Sequence, residues 1–360
     1  MVYHDIICPV CFKNFKVNNV VFRASRMRED LKVDLYIRNF QRQLGNDYSE
    51  YTKDFLDPAL LSSAYKEYQN GRLEAIIDPK TGERTTERLC PYCHAKLYEN
   101  AGTRHAEICS VIGFTKSGKT VYLAALKKQL EKTNIGVING SNDHTIEDNI
   151  QLLEAGEKIS STTDYSGPYV YHMTSYIEQK EIKNTILFYD IPGERFKNYD
   201  EIRKRAAFIE KSNTCIFLVD IENVEGAIQV FNNIATNYLE GGRKLDMDLC
   251  MVLSKSDQLE KEFPSAFKAL ALQIETNYVD GKPINYSEID YNSNYIRKNI
   301  IEKDTRLNGL AVAVDTVVKE ERCRWFTVRS MNGETFSPKN CVQPFLWAIA
   351  RKSYYPSKTE

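Results

Sequence analysis

Eight consecutive residues constrain this chain more than any other feature. Gly113 to Thr120 read Gly-Phe-Thr-Lys-Ser-Gly-Lys-Thr, which matches the phosphate-binding pattern G-x-x-x-x-G-K-[ST]. The apolar run Ile108–Ile112 precedes this motif, and the amphipathic run Lys119–Lys132 follows it. Because such a loop works between a buried strand and a helix, the flanking residues favour an α/β fold with a mainly parallel sheet.

The motif gives its residues specific roles around bound phosphates. Backbone N–H groups turn inward around the anion, and the N-terminus of the following helix adds a favourable dipole. We expect Lys119 to reach the β- and γ-phosphates and the Thr120 hydroxyl to bind magnesium. The nucleotide-binding residues that the motif predicts are Gly113, Thr115, Lys116, Ser117, Gly118, Lys119, Thr120 and Val121.

A second strand-like run, Thr185–Asp190, ends in an acidic residue and continues as Ile-Pro-Gly-Glu. A P-loop protein holds magnesium, often through water, with an Asp at such a position. We therefore predict that Asp190 is a magnesium ligand. The N–H group of Gly193 is predicted to bond the γ-phosphate, so that the following loop senses whether this phosphate is present.

A third motif, Ser254-Lys255-Ser256-Asp257, follows another apolar run. The Asp257 carboxylate can accept two hydrogen bonds from the N1–H and exocyclic amine of guanine, a donor pair that adenine lacks. The stem of Lys255 is expected to lie across the base. The alternative is a solvated helix start that binds nothing. After the last strand, Ser330 and Met331 are candidates for backbone contact with the guanine edge.

The remaining apolar runs complete the predicted sheet. Tyr169–Ile177 alternates polar and apolar residues and is interpreted as an edge strand. Thr214–Val219, Leu249–Ser254 and Arg324–Val328 are nearly continuous apolar runs, as in strands covered on both faces. These elements place a P-loop domain over residues 106–355, with an insertion at about 260–320.

Two Cys-Pro-x-Cys pairs dominate the first part of the chain. Cys8, Cys11, Cys90 and Cys93 provide four thiolates that can close a tetrahedral zinc site. They predict a zinc ribbon over residues 1–105 with a helical insertion at 24–80. Four cysteines leave no open coordination position, so the zinc is expected to be structural. Free or redox-active cysteines are the alternative, and His4 and His94 are expected to be surface residues rather than further ligands.

Charge and hydropathy exclude several classes of protein. The formal net charge is −1, so no general attraction to nucleic acid or membranes is expected. No apolar run approaches the roughly 20 residues of a membrane span, and no signal-peptide pattern opens the sequence. These features predict a cytoplasmic protein without a membrane partner. Contact of the ribbon with protein or nucleic acid stays open.

Taken in order, the motifs Gly113–Thr120, Asp190–Gly193, Ser254–Asp257 and Ser330–Met331 resemble those of a translation-factor-class (TRAFAC) P-loop GTPase. The zinc ribbon, the Asp-Ile-Pro-Gly-Glu loop and a terminal Phe-Leu-Trp helix resemble the "double-GTPase" group of bacterial conflict systems. The resemblance implies a Ras-like fold, GTP as substrate, bound magnesium, slow hydrolysis, and switch loops that a protein partner or second GTPase reads.

The resemblance also suggests catalytic residues and shows departures from the family pattern. Glu194 stands where many Ras-like GTPases place the Gln that orients the attacking water. The switch threonine is not obvious, and Thr162 and Thr163 are the candidates; Thr163 is the predicted third magnesium ligand. Lys116 is a candidate for a cation that partly replaces an arginine finger in cis, and Lys119 is a further candidate catalytic residue; the alternative for Lys116 is a solvated lysine.

Three further functions stay open from the sequence alone. The first is a nucleotide-dependent scaffold with negligible hydrolysis, which the charge of Glu194 favours. The second is an ATPase or nucleotide kinase that uses the same P-loop. The third is nucleic-acid binding through the ribbon, which would depend on salt concentration.

Overall fold

The computed structural model describes residues 3–43, 54–131, 136–139, 143–159, 168–177, 180–190, 209, 211–239, 245–274 and 286–354. The chain divides into two compact units, Met1–Glu107 and Ile108–Glu360. Among the helices of these described segments, none combines the length and apolarity of a membrane span.

In its described residues, the N-terminal unit contains small antiparallel sheets, one α-helix and two short 3-10 helices. Its strands are β1 (Ile6–Ile7), β2 (Asn14–Phe15), β3 (Val21–Arg23), β4 (Phe55–Leu56), β5 (Lys66–Gln69), β6 (Arg72–Ile77), β7 (Arg84–Thr85) and β8 (Arg88–Leu89), and its helix is α1 (Leu35–Gln43). The sheets have the orders β1-β2, β4-β3-β8 and β5-β6-β7. Strand β3 pairs with β8 through Val21 and Leu89, which joins the two ends of the cysteine-bearing sequence.

Residues 24–80, predicted to hold a helical insertion, contain helix α1 and also a β-hairpin. Strands β5 and β6 flank the turn Asn70-Gly71, where both residues have positive φ angles, 51° and 88°. An Asn-Gly pair favours this two-residue hairpin turn because both residues tolerate the left-handed region. The Asn70-Gly71 pair is therefore a local signal for the hairpin, which the prediction of a helical insertion overlooked.

The second unit is built on a seven-stranded sheet of order β10-β11-β12-β9-β13-β14-β15. Its strands are β9 (His105–Gly113), β10 (Gly136–Asn139), β11 (Tyr169–Ile177), β12 (Lys180–Asp190), β13 (Thr214–Asp220), β14 (Asp248–Ser254) and β15 (Cys323–Thr327). Strands β9, β13, β14 and β15 run parallel. Together with the cysteine cluster of the first unit, this sheet confirms the predicted α/β fold with a small N-terminal zinc-binding unit.

The prediction that Tyr169–Ile177 forms an edge strand is wrong. Strand β11 lies between β10 and β12 and is antiparallel to both. Its polar residue His172 is buried, and the ring nitrogen Nδ1 lies 2.9 Å from the Thr185 hydroxyl of β12. A polar residue that pairs with a neighbouring strand needs no solvent, so the alternation does not mark an edge.

Helices pack against the sheet, and the hydrophobic core lies between them. They are α2 (Lys119–Leu130), α3 (Asp143–Glu154), α4 (Val224–Leu239), α5 (Ser256–Glu262), α6 (Pro264–Ile274), α7 (Tyr286–Asn299), α8 (Thr305–Val317) and α9 (Gln343–Tyr354). Helices α5 to α8 fill the sequence between β14 and β15, while the limits of the 260–320 insertion stay a prediction. Phe345, Leu346 and Trp347 of α9 are almost completely buried, which explains the Phe-Leu-Trp motif as part of the core.

Candidate functional site

The polar motifs of the second unit meet where its parallel strands end. Strand β9 ends at Gly113, opposite Leu218 of β13, and Asp220 at the end of β13 lies opposite Ser254 at the end of β14. In open parallel sheets, ligands bind outside these carboxyl ends. Strand pairing therefore brings the phosphate motif and the third motif together.

The P-loop has a shape that only particular residues permit. Gly118 has φ 84° and Lys116 has φ 65°, so the loop turns through the left-handed region at two points. A Cβ atom at Gly113 would lie 2.5 Å from the Ser117 hydroxyl and 2.7 Å from the Leu218 carbonyl oxygen. Gly113 is thus required by its packing against strand β13.

The P-loop carries groups suited to phosphate. The Lys119 ammonium donates hydrogen bonds to the carbonyl oxygens of Gly113 (3.1 Å) and Phe114 (3.2 Å), so this cation lies over the loop. Within the described chain, the hydroxyls of Thr115 and Ser117 are buried and make no hydrogen bond. Buried polar atoms of this kind normally have a partner, and an anion cradled by the loop fits that requirement.

The start of α2 completes the loop. Thr120 is half-buried in the first turn of the helix, the place that the motif gives to a magnesium ligand. Val121 follows it and packs its side chain against the hydrophobic core. The loop residues are therefore held by the strand on one side and by the helix on the other.

The third motif is tied to the P-loop by its first residue. The Ser254 hydroxyl lies 3.1 Å from the carbonyl oxygens of Ser117 and Val219 and shares its proton between them. A serine is short enough to fit here, and it retains the hydroxyl of the Thr that the motif also allows. Asp257 is half-buried in the first turn of helix α5, three residues beyond this link.

The Lys255 ammonium has two carboxylate partners, while contact of its stem with a base stays a prediction. The ammonium pairs with Asp220 at 2.8 Å and Glu222 at 2.5 Å. Burial alone would lower its pKa, but the hydrogen bonds to these two carboxylates raise the pKa of Lys255 above its usual value. The lysine thus joins the third motif to the loop after β13.

Ser330 and Met331 lie in a β-hairpin made of β16 (Arg329–Asn332) and β17 (Thr335–Lys339). This hairpin continues from β15, where Val328 donates to the Leu253 carbonyl and accepts from the N–H of Ser256. The pair is therefore anchored beside the third motif, and its contact with a base stays a prediction.

Asp190 is buried at the end of strand β12, as a carboxylate that reaches a metal from a strand end should be. Three other predicted site residues, Thr163, Gly193 and Glu194, lie outside the described residues. So do Thr162 and the loop that follows Asp190. Their roles stay predictions from the sequence.

Two features of this site were missed by reading the motifs. Asp220 ends a buried strand as Asp190 does, and that shared pattern would have marked it. Gly226, in the first turn of α4, lies against the ring of Phe114: a Cβ atom there would be 2.8 Å from two ring carbons. No sequence pattern connects these last two residues, because only the tertiary fold brings them together.

The four cysteines of the N-terminal unit form one cluster. All four sulfur atoms lie within 4.8 Å of one another, with Cys8 and Cys93 3.6 Å apart and Cys11 and Cys90 3.7 Å apart. A tetrahedral zinc with Zn–S bonds of about 2.3 Å requires sulfur–sulfur distances of roughly 3.8 Å. The cluster fits that geometry, as the predicted ribbon requires.

The two cysteine pairs are built as matching turns. The N–H group of Val10 donates to the Cys8 sulfur, and the equivalent N–H group of Tyr92 donates to the Cys90 sulfur, each at 3.4 Å. The residue after each pair, Phe12 or His94, has a positive φ of 60° or 54°. Such N–H groups stabilise thiolates, which are the form that binds metal. The matching geometry indicates a metal site rather than scattered thiols.

The prediction that His94 is a surface residue is wrong. Its side chain is buried, and Nδ1 lies 3.0 Å from both carboxylate oxygens of Asp34. Arg23 donates to the same carboxylate at 3.1 Å. Burial alone would raise the pKa of Asp34, but the His94 hydrogen bond and the neighbouring charges lower it. His94 therefore links the second cysteine pair to Asp34, whose side chain also accepts hydrogen bonds from backbone N–H groups of α1.

We predict that Gly226→Ala weakens nucleotide binding. The added methyl group pushes the Phe114 ring and thereby distorts the P-loop, and overpacking of this kind costs about 1–3 kcal/mol. We expect the affinity for nucleotide, measured by equilibrium titration, to fall by roughly tenfold, on the conversion of about 1.4 kcal/mol per tenfold.

Gly309→Ala is the matched control, because Gly309 lies in helix α8 with no atom within 4 Å of an added Cβ. This variant should keep wild-type affinity and gain stability from helix propensity. A second change, Phe114→Leu, should partly restore binding to Gly226→Ala. If Gly226→Ala keeps wild-type affinity, packing of Phe114 against Gly226 does not influence nucleotide binding.

The comparisons with known proteins bear mainly on the second unit. No curated protein matches this sequence. A family model described as Double-GTPase 2 matches residues 107–302, a range that includes the P-loop, Asp190 and the third motif. The match covers more than half of the chain, and the chain belongs to the Double-GTPase 2 family.

Proposed function

We propose that the protein is a magnesium-dependent molecular switch that binds GTP and hydrolyses it to GDP and phosphate. The observation that carries the proposal is the Ser254 hydroxyl bonded to the Ser117 carbonyl oxygen. This bond holds the base motif against the phosphate loop, so that one nucleotide can occupy both. Membership in a GTPase family supports the same activity.

Magnesium would be held by oxygen ligands, which this hard cation prefers. Thr120 at the start of α2 and Asp190 at the end of β12 supply a hydroxyl and a carboxylate in this part of the sheet. Thr163 is proposed as the third ligand. When bound, the ion would neutralise charge that develops on the β- and γ-phosphates.

The base would be guanine because of Asp257. Its carboxylate accepts from the N1–H and the exocyclic amine of guanine, while adenine offers no such pair of donors. The alternatives are an ATPase, in which Asp257 does not face the base, and a GTP-binding scaffold with negligible turnover. Both keep the P-loop, so binding and turnover have to be measured separately.

We predict that the wild-type protein binds GTP far more tightly than ATP, and only weakly without magnesium. In Asp257→Asn the preference for guanine should fall by about 10²–10⁴-fold, since a site built to hydrogen-bond a group discriminates strongly against its loss. The measurement is equilibrium binding of labelled GTP and ATP with and without magnesium.

Xanthosine triphosphate serves as the positive control for Asp257→Asn. Xanthine carries a carbonyl where guanine has the amine, and the amide of Asn can donate to it, so this variant should gain affinity for it. That gain shows that the variant is folded. Equal wild-type affinity for ATP and GTP would reduce the assignment to an unspecified P-loop NTPase.

Lys116 is proposed to act in catalysis together with Lys119 and Glu194. It is exposed, and its backbone is left-handed with φ 65°, in the P-loop position from which a cation can reach the oxygens that gain charge during phosphoryl transfer. Glu194 is proposed to orient the attacking water, although its charge opposes the γ-phosphate and favours slow turnover.

We predict that Lys116→Ala slows GTP hydrolysis by about 10–100-fold while GDP affinity changes by less than about twofold, because the cation acts on charge present only in the transition state. Single-turnover hydrolysis measures this effect. The control is Lys268→Ala on helix α6, where the exposed lysine lies outside the nucleotide motifs. Unchanged turnover in Lys116→Ala would assign the residue to the solvated surface.

The four cysteines are proposed to hold one structural zinc ion. Burial and the neighbouring thiols raise the pKa of Cys8, and a bound cation would offset that cost of forming the thiolate. No open coordination position remains for catalysis. The unit has few long elements, and a metal supplies the stability that a small core lacks.

We predict one zinc per chain by elemental analysis, and loss of this zinc in Cys93→Ser. Chelation should expose residues 1–107 to proteolysis, because binding free energy of a structural zinc is also folding free energy. Cys215→Ala, which changes a buried cysteine of strand β13, should keep the metal. Full protease resistance after complete removal of zinc would show that the ribbon does not need it.

The cellular setting is proposed from the family resemblance. Loops that change between GTP and GDP would be read by a protein partner or a second GTPase, in a bacterial conflict or defence system, and in the cytoplasm. Contact with nucleic acid through the ribbon is the alternative, and the net charge of −1 gives it no support.

A further inference from the structure

The loop after β13 carries two carboxylates that meet one lysine. Asp220 is the last residue of β13, and Glu222 follows two residues later. The Lys255 ammonium lies 2.8 Å from Asp220 Oδ2 and 2.5 Å from Glu222 Oε2. Neither carboxylate belongs to a nucleotide motif, and their only described side-chain partner is the lysine of the third motif.

Asp220 is the fixed part of this arrangement. Its side chain is buried, and its second oxygen, Oδ1, accepts a hydrogen bond from the N–H of Glu222 at 3.0 Å. The Asp220 carbonyl oxygen accepts another from Asn223 at 2.9 Å. A carboxylate that is held by strand and turn in this way directs its free oxygen to one place, where the Lys255 ammonium lies.

The backbone of Lys255 is held equally firmly. It has φ 55° and ψ 41°, a left-handed conformation that a lysine rarely adopts. Ser254 before it is bonded to the P-loop, and the N–H of Ser256 after it donates to Val328 at 3.1 Å. Once the backbone is fixed at both neighbours, the freedom that remains to Lys255 is that of its side chain.

We propose that Asp220 and Glu222 clamp the Lys255 ammonium and thereby fix the four-carbon stem that the third motif is expected to lay across the base. Asp220 and Glu222 are then positioning residues for nucleotide affinity. The inference rests on the proposed function, because it assumes that the base lies beside the third motif.

The clamp has a physical reason. An ordered lysine side chain loses much of its rotamer freedom, and binding of a base would otherwise have to offset that loss. Two carboxylates that order the stem beforehand remove that loss from the binding step. They also neutralise the ammonium, which keeps it from competing for the phosphates or the carbonyl oxygens of the P-loop.

Because the clamp acts on the base and not on the phosphates, it predicts a specific pattern of changes in ligand affinity. Asp220→Asn should lower the affinity for GTP and GDP by the same factor, about 10–30-fold, as expected for a partly buried charged hydrogen bond. Glu222→Gln, at an exposed carboxylate, should lower both by about three- to fivefold. Inorganic triphosphate with magnesium, which has no base, should bind all variants equally.

A double-mutant cycle with Lys255→Met tests whether the carboxylates act through the lysine. Methionine keeps an unbranched apolar stem without the charge, so the clamp has nothing to hold. In that background Asp220→Asn should have no further effect on GDP affinity. Glu225→Gln, which changes an exposed acidic residue in the first turn of α4, is the matched control and should bind like wild type.

The outcomes separate this inference from the proposed function. Wild-type protein without guanine preference would overturn the function and the clamp together. Guanine preference in wild type with unchanged GDP affinity in Glu222→Gln and Asp220→Asn would overturn the clamp alone. An effect that persists in the Lys255→Met background, or that extends to inorganic triphosphate, would also contradict it. If Asp220→Asn fails to fold, Glu222→Gln at its exposed position still decides.

Discussion

The hydroxyl of Ser254 lies between two backbone carbonyl oxygens, one at the end of strand β13 and one in the P-loop. Because β9, β13 and β14 run parallel, their ends lie side by side, and this shared proton ties the three together. The P-loop is thereby linked directly to the motif Ser254–Asp257. The distance between these two motifs is therefore set by strand spacing and one short side chain.

Two lysines lie near this hydrogen bond, and each is held by oxygen acceptors. Lys119 lies over the P-loop on two carbonyl oxygens, and Lys255 is held by Asp220 and Glu222. Each cation has partners before any ligand binds, so none is left buried and uncompensated. In the proposed function, the first would leave its carbonyl oxygens to meet phosphate, whereas the second would keep its carboxylates while its stem meets the base.

The N-terminal unit depends on different stabilising interactions. Its sheets have two or three strands each, and such small sheets are marginal without further support. The cysteine cluster joins the first and last parts of the unit, and the buried chain Arg23–Asp34–His94 extends from it to helix α1. A metal at the cysteines would therefore stabilise more than the two turns that bind it.

Local patterns in the sequence were sufficient for the elements whose chemistry is carried by neighbouring residues. The P-loop, the strand-ending Asp190 and the two Cys-Pro-x-Cys turns could be read directly, because each depends on the backbone conformation of a few consecutive residues. Patterning failed at Tyr169–Ile177 and His94. In both cases a buried polar group finds its partner on a distant segment, which alternation and exposure rules do not contain.

By itself the sequence determined the α/β class of the fold, a P-loop motif between a strand and a helix, and four cysteines suited to one metal, and it predicted a base motif. Only the tertiary structure decided that Ser254 joins the P-loop, that Gly226 makes room for Phe114, and that Lys255 meets Asp220 and Glu222. The reason is physical: loop shape and helix caps depend on adjacent residues, whereas these contacts depend on which strands become neighbours when the sheet forms.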